Sequence, residues 1–369
     1  MRGVAFAGLV LIFCSGIMGQ AFDPTTPDGS MIASIQKTSD AAQKTTLLEQ
    51  FVQQFPDSHM AAWAWAQLQG GYLQAQQYDK ALTAGEKSLV GDPAATEVAY
   101  NNLKAAEGKN DPDAVMKWAA ETSRIARAEA GKSAGDRSRV DYAKQVDTYS
   151  EYSVYATSLK VTDPAKIIQL TESLEQRNPD SPYLSKAYGR YLAALRQAGH
   201  ADKVGAAAER EAKRDPLNED VLLVAAQSAM EQKDYPKELT YASKAAEVMQ
   251  TKAKPEEIAD ADWQKKKETT LGVSLWMQGI GYNSTNRYAE ADKALRSALP
   301  LVKTDNRLLP MVLFQLGVSD FQMGKASKNP ALVRDALKYS QQSAAMKSPV
   351  QAEAQNNVRA ITRALGGAR

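Results

Sequence analysis

The chain has one cysteine, Cys14, and two histidines, His59 and His200, in 369 residues. Cys14 lies inside an N-terminal apolar run, so a mature chain that loses that run would hold no cysteine. That excludes a disulfide, a thiolate nucleophile and a cysteine-based metal site. Both histidines lie in turns beside polar residues. No nucleophile elbow, Gly-rich oxyanion loop, H-E-x-x-H, C-x-x-C or Asp-rich calcium loop accompanies them. Gly279-Ile280-Gly281 is half a dinucleotide fingerprint, yet it lies inside a helical pattern and follows no strand, so close helix packing explains it. Acid pairs such as Glu256-Glu257 and Asp260/Asp262 are common on exposed helices and specify no chemistry. Catalysis, a cofactor and a metal are therefore not expected. An excess of one charge is missing too: 45 basic residues face 43 acidic ones, a formal net charge of +2. That balance gives no reason to expect nucleic acid or an anionic membrane as the main partner.

Aromatics are 7% of the chain and no long β-branched run occurs. Alanine and glutamine are abundant instead, a helical signature. The first 21 residues stand apart. Arg2 supplies a positive start, Val4 to Met18 is an apolar core without charge, and Gly19-Gln20-Ala21 places small residues where a signal peptidase cuts. Export with cleavage before Phe22 is the expectation, which leaves no membrane span in the mature chain. An uncleaved anchor is the alternative, although it needs about 18 or more apolar residues and this run falls short. Leu11-Ile12-Phe13-Cys14 is faintly like a lipobox, with Phe13 where a small residue belongs. A periplasmic or secreted location follows from the first reading, a membrane-anchored one from the second.

Residues 22–30, FDPTTPDGS, read as a Pro/Gly/Ser-rich linker, and helical periodicity starts at Met31. Leu47, Leu48, Phe51 and Val52 form a stripe that ends at Phe55-Pro56-Asp57-Ser58, and a helix closing on F-P-D-S resembles the repeats of bacterial envelope proteins. Between Leu271 and Val302, Leu275, Gln278, Gly279 and Tyr282 fall at helical spacing. Asn283-Ser284-Thr285-Asn286 breaks the pattern, and Tyr288, Ala291, Leu295 and Ala298 resume it. The same slots recur 210 positions earlier as Trp65, Leu68, Gln69 and Tyr72, then Tyr78, Ala81, Gly85 and Ser88, closed by Pro93. This resembles the tetratricopeptide repeat, whose consensus is W-x2-L-G-x2-Y, then A-x3-F, then P. The glycine slot is where two helices approach, because a side chain there would hold them apart.

Further hairpins are marked by Tyr188, Tyr191, Leu192 and Leu195 with Val204 and Ala208, and by Leu222, Ala225, Ala226 and Ala229 with Tyr235, Ala242 and Ala245. Another has Leu313, Leu316, Gly317 and Asp320 with Ala336, Ser340 and Ser343. Asp111-Pro112, Asp163-Pro164 and Asn329-Pro330 each read as an N-cap followed by proline at the first helical position. Asp92-Pro93, Asn178-Pro179 and Asp215-Pro216 read as hairpin ends. Gly131 to Asp136 reads as a loop. Tyr142, Tyr149, Tyr152 and Tyr155 follow on one helix, either as core between stacked helices or as a peptide-binding face. Insertions are expected near 251–268 and 323–330. The first holds Lys252, Lys254, Lys265, Lys266 and Lys267, which could steer an acidic partner or belong to a solvated helix end. Val350 to Leu365 reads as a lone capping helix.

The fold expected is an all-α, right-handed α-solenoid over 31–365, with about seven or eight hairpins and a C-terminal capping helix. The resemblance implies a non-catalytic scaffold that binds a protein or peptide segment in a concave groove. It places that groove on the first helix of each hairpin. Carried over, the groove positions are Val273, Trp276, Ile280 and Asn283, then Met311, Phe314, Val318 and Phe321, with Leu223 and Met230. Large apolar side chains there suit an amphipathic helix or an extended apolar segment. The carboxylate clamp of some family members needs Lys and Asn at these offsets, and only Asn283 is present. Self-coverage of this face by the 251–268 segment is the competing expectation. Two other functions stay open: a structural subunit of an envelope assembly, and a carrier of polysaccharide or another ligand.

Overall fold

The computed structural model describes residues 22–366 apart from 134, 215, 216 and 257. The proposed signal over 1–21 with Cys14, the Asp215-Pro216 hairpin end and Glu257 of the acid pair lie outside the described residues. Everything described is helix or turn, with no strand. The helices run α1 (Pro27–Lys37), α2 (Ala41–Gln54), α3 (Ala61–Gln74), α4 (Tyr78–Gly91), α5 (Thr96–Lys109), α6 (Pro112–Lys132), α7 (Arg137–Lys160) and α8 (Pro164–Arg177). They continue as α9 (Leu184–Gln197), α10 (Ala201–Glu211), α11 (Glu219–Glu231), α12 (Tyr235–Thr251), α13 (Asp260–Ser284) and α14 (Tyr288–Val302). The last three are α15 (Leu309–Ser327), α16 (Pro330–Ala344) and α17 (Gln351–Gly366).

Two compact units divide the chain, Met1–Ala187 and Tyr188–Arg369, with the boundary inside α9. Within the first, α1 packs on α2, α3 on α4, α5 on α6 and α7 on α8, and α3, α5 and α7 also touch in succession. The second repeats the arrangement with α11/α12, α13/α14 and α15/α16, the first helices α11, α13 and α15 touching in turn. Helix α17 covers α16 and touches α15. Within each unit these helices thus pack on near neighbours in sequence, which is the all-α solenoid mode of packing.

Local chemistry sets the boundaries. Asp111 caps α6 by accepting from the Asp113 and Ala114 amides, Asp163 caps α8 through Ala165, and Asn329 caps α16 through Ala331. Proline follows each cap at a position whose amide has no intrahelical partner anyway. The same device operates earlier than periodicity indicated. Thr26 accepts from the Gly29 amide and Pro27 opens α1, so 27–30 are helical rather than linker. Residues 323–327 likewise extend α15, and only a short turn remains of the segment read as an insertion. Residues 260–268 form the first turns of α13, leaving 252–259 as the connection. Helix α6 reaches Lys132, so the Gly131 loop begins two residues later.

The packing slots meet as the repeat register requires. A Cβ added at Gly279 would overlap the Leu295 side chain, and one at Gly317 would overlap the Ser340 hydroxyl. In α3/α4 the sizes are exchanged: Gln69 fills the glycine slot, and the facing Gly85 leaves room for it. Gln69 Nε2 then donates to the Val98 carbonyl at 2.9 Å and to Asn102 Oδ1 at 2.8 Å, tying the hairpin to α5. Ser88 donates to the Ala62 carbonyl at 2.9 Å, and Ser343 donates to the Pro310 carbonyl at 2.7 Å. These are equivalent bonds from one repeat slot to another. Ala81, Ala291 and Ala336 are fully buried where second helices cross first ones.

Candidate functional site

In the second unit, the residues expected to form a groove sit on the first helices α11, α13 and α15. Trp276 and Met311 pack, half-buried, against the cluster of Ala291, Leu295, Ala298, Val302, Leu308, Val312 and Leu316. The Trp276 indole Nε1 is buried and no hydrogen-bond acceptor reaches it among the described residues. Phe321 belongs to a different cluster, against Val333, Ala336 and Ile361. Met230, Ile280 and Phe314 are half-buried. Asn283 is turned into the helix contact: its Nδ2 donates to the Gln315 carbonyl at 3.0 Å and to Gln315 Oε1 at 2.9 Å. It therefore bridges α13 to α15, and its Oδ1 is buried without a donor among the described residues.

Three of the five lysines around the start of α13 are engaged in ion pairs within the chain. Lys252 and Lys266 both reach the buried Glu219 carboxylate, at 2.6 and 2.8 Å, and Lys266 also pairs with Asp220 at 3.0 Å. Burial alone would raise the Glu219 pKa, but the two ammonium groups hold it below its ordinary value. Lys254 pairs with Asp260 at 2.9 Å. The connection is fastened to α11 by charge, and the sequence reading missed the acceptor at Glu219.

Two other buried carboxylates were also missed. Glu238 occupies the slot filled by Ala81 and Ala291 elsewhere, and it is fully buried with neither oxygen hydrogen-bonded among the described residues. Burial pushes its pKa up to about 8. Gly281 makes the room, since a Cβ there would overlap Glu238 Oε2. The signal was available, for a glutamate standing in a small-residue slot is a local conflict. Asp320 is likewise buried, with Arg296 Nη2 at 3.0 Å. Burial and the neighbouring Asp292 carboxyl push Asp320 up to about 7 against the pull of Arg296.

In the first unit the tyrosines of α7 join others from distant sequence. Tyr100 of α5 meets Tyr149 edge to face, with centroids 5.3 Å apart. Tyr149 meets Tyr152 at 6.0 Å, and Tyr183 lies 5.8 Å from Tyr152 and 5.6 Å from Tyr155. Lys104 Nζ stands 3.8 Å from the Tyr149 ring centre, contacts its hydroxyl and pairs with Glu107 at 3.4 Å. Tyr142 and Tyr152 remain 41% and 43% exposed, so this row is only partly core.

Among the described residues, no three His, Cys, Asp or Glu side chains come together as a metal site. No helix there is long and apolar enough to cross a membrane.

No family model matches the sequence, and no curated protein matches it. Among solved structures, the chain is similar to the P58(IPK) TPR domain, at 12% sequence identity over 93% of this chain and 99% of that one, with a TM-score of 0.30. At that score the match carries no argument, and the fold stands on the helix packing of this chain itself.

Proposed function

We propose that this protein is an exported, non-catalytic scaffold of the bacterial cell envelope that holds a protein segment against the first helices of its second unit. Trp276, Ile280, Met311 and Phe314 form the contact, with Met230 and Phe321 flanking it and Asn283 fixing α13 to α15. The observation that carries this reading is the run of large apolar side chains on α13 and α15 that folding leaves only half-buried. Large aromatic and Met side chains around a desolvated centre are what binding hot spots use.

The double substitution Trp276→Ala with Phe314→Ala tests it after partners are crosslinked in intact cells. Loss of crosslinking with a nearly unchanged helical melt is the expected result. A large drop in the melt instead would make the face part of the core. Export is checked separately by sequencing the N-terminus of the mature chain, which should begin near Phe22. A chain that retains Met1 in the membrane fraction would support the anchor.

A further inference from the structure

The near-neutral total of +2 hides a local excess of positive charge. Residues 321–366, the end of α15 with α16 and α17, hold seven lysines and arginines against two acids, Asp335 and Glu353. Six of those cations gather at one end of the three helices. A Cβ at Gly324 would overlap Val333, so the last turn of α15, with Lys325 and then Lys328, lies beside the first turn of α16. Phe321, Val333, Leu337, Ile361 and Leu365 pack in one cluster there. Arg334 and Lys338 follow Val333 and Leu337 in the chain, and Arg359 and Arg363 stand two residues to either side of Ile361. All six basic residues are exposed.

Helix stability accounts for part of this charge and not for the rest. A cation in the last turn of a helix complements the helix dipole, which suits Lys325 on α15 and Arg363 on α17. Lys325 also stands over the Phe321 ring, 5.5 Å from its centre. Arg334 lies near the opposite, positive end of α16. Arg334/Lys338 and Arg359/Arg363 are like charges at i, i+4, a spacing at which repulsion weakens a helix. Elsewhere in this unit cations close on buried carboxylates, as Lys266 does on Glu219 and Arg296 on Asp320. None of the six makes an ion pair among the described residues. A counter-charge from outside the chain would relieve their repulsion.

The patch is built unlike a protein interface, which has an apolar or aromatic centre and is poor in lysine. Among the described residues the exposed large hydrophobics are Val90, Tyr142, Tyr152 and Leu159, and none lies on these helices. It is also unlike a pocket for one phosphate. Pairs one turn apart on two helices, with two lysines on a third, spread the charge over an area. A charged bilayer attracts every cation within about one Debye length, roughly 10 Å at 0.1 M salt, without seating any of them. We propose that this end of the terminal hairpin docks on an anionic phospholipid surface, held by charge and without insertion. The proposal takes only location from the scaffold reading: an exported protein faces bilayers rather than nucleic acid.

Co-sedimentation of the mature chain tests it, with vesicles of phosphatidylcholine alone and of an equal mixture with phosphatidylglycerol. Binding should require the anionic lipid and should be lost at about 1 M sodium chloride, where the Debye length falls to about 3 Å. Each lysine or arginine near an anionic surface strengthens binding about fivefold. The variant R334Q/K338Q/R359Q/R363Q should therefore bind on the order of a hundredfold more weakly, with a melt no lower than the parent's. K37Q/K87Q/K132Q/K160Q removes the same charge from exposed positions of the first unit and should bind nearly as the parent does. So should Trp276→Ala/Phe314→Ala, which separates this surface from the groove. Equal binding to the neutral vesicles, no binding to either kind, or equal losses in the two quadruple variants would overturn the proposal. Release by inorganic phosphate beyond that by sodium chloride of the same ionic strength would overturn it too, in favour of a discrete phosphate site. Capture of duplex DNA or polyglutamate without capture of the mixed vesicles would assign the patch to another anion and have the same effect.

Discussion

Replacing Glu238 with Gln should make the protein more stable at pH 8 and above, by roughly a few kcal/mol, and change it little at pH 5. Glu238 is fully buried on α12, with both oxygens unpartnered among the described residues. Burial is the cause of its shift, from 4.5 to about 8. Below about pH 4.5 the carboxyl is protonated in both the folded and unfolded chain and does not affect the balance. Between 4.5 and 8 the unfolded chain gives up this proton and the folded chain keeps it, so folding takes up a proton and stability falls as pH rises. Above 8 the folded chain carries a buried, uncompensated charge and the full penalty applies. Glutamine has the shape of the protonated acid and cannot ionise. Asp320, raised to about 7, contributes a decline of the same sign that ends earlier. Glu219, held low by its lysines, acts oppositely at acidic pH. Both persist in the variant, so the difference between urea melts of the parent and of Glu238→Gln isolates the one group. If the two curves stay parallel from pH 5 to 9, Glu238 is hydrated or paired in solution.

Much of this fold is written in short-range signals. Proline after Asp or Asn marked the starts of α6, α8 and α16 because cap and fixed φ act within three residues. Thr26-Pro27 carries the same information, but a nearby Asp-Gly-Ser run made the segment look like a linker. Register was legible wherever a slot kept its size class. It was also legible where two facing slots exchanged sizes, as Gln69 and Gly85 do. What could not be read was pairing across hairpins. Glu219 looked like an ordinary first-turn acid until two lysines from 33 and 47 positions downstream closed on it. The tyrosines of α7 were visible as a stripe, while Tyr100 and Tyr183, which turn the stripe into a row, come from either side of it. The proposed groove was placed by register, and its degree of cover was not: half-burial of Trp276 and Met311 depends on the neighbouring helix α14.

The solenoid mode of packing also decides how far a local defect spreads. Gly279→Leu should destabilise the protein by about 1–3 kcal/mol, the usual cost of overpacking a filled site. Even a Cβ at this position overlaps Leu295, and the rest of a leucine side chain would have to displace α14 from α13. Helix α14 also packs on α15, so the strain should reach the next hairpin and lower the cooperativity of its melt. Replacing Leu295 with Ala in the same chain should recover part of the loss, since the two side chains compete for one volume and their effects cannot add. The pair Gln69 and Gly85 offers the reverse test of the same geometry. Gly85→Leu alone should be destabilising, because its Cβ meets both Gln69 and Asn102. Adding Gln69→Gly vacates one side of that space, and the double variant should melt above the single one. Additive losses in both pairs, measured by chemical denaturation, would mean that the facing slots do not touch and that the register is displaced.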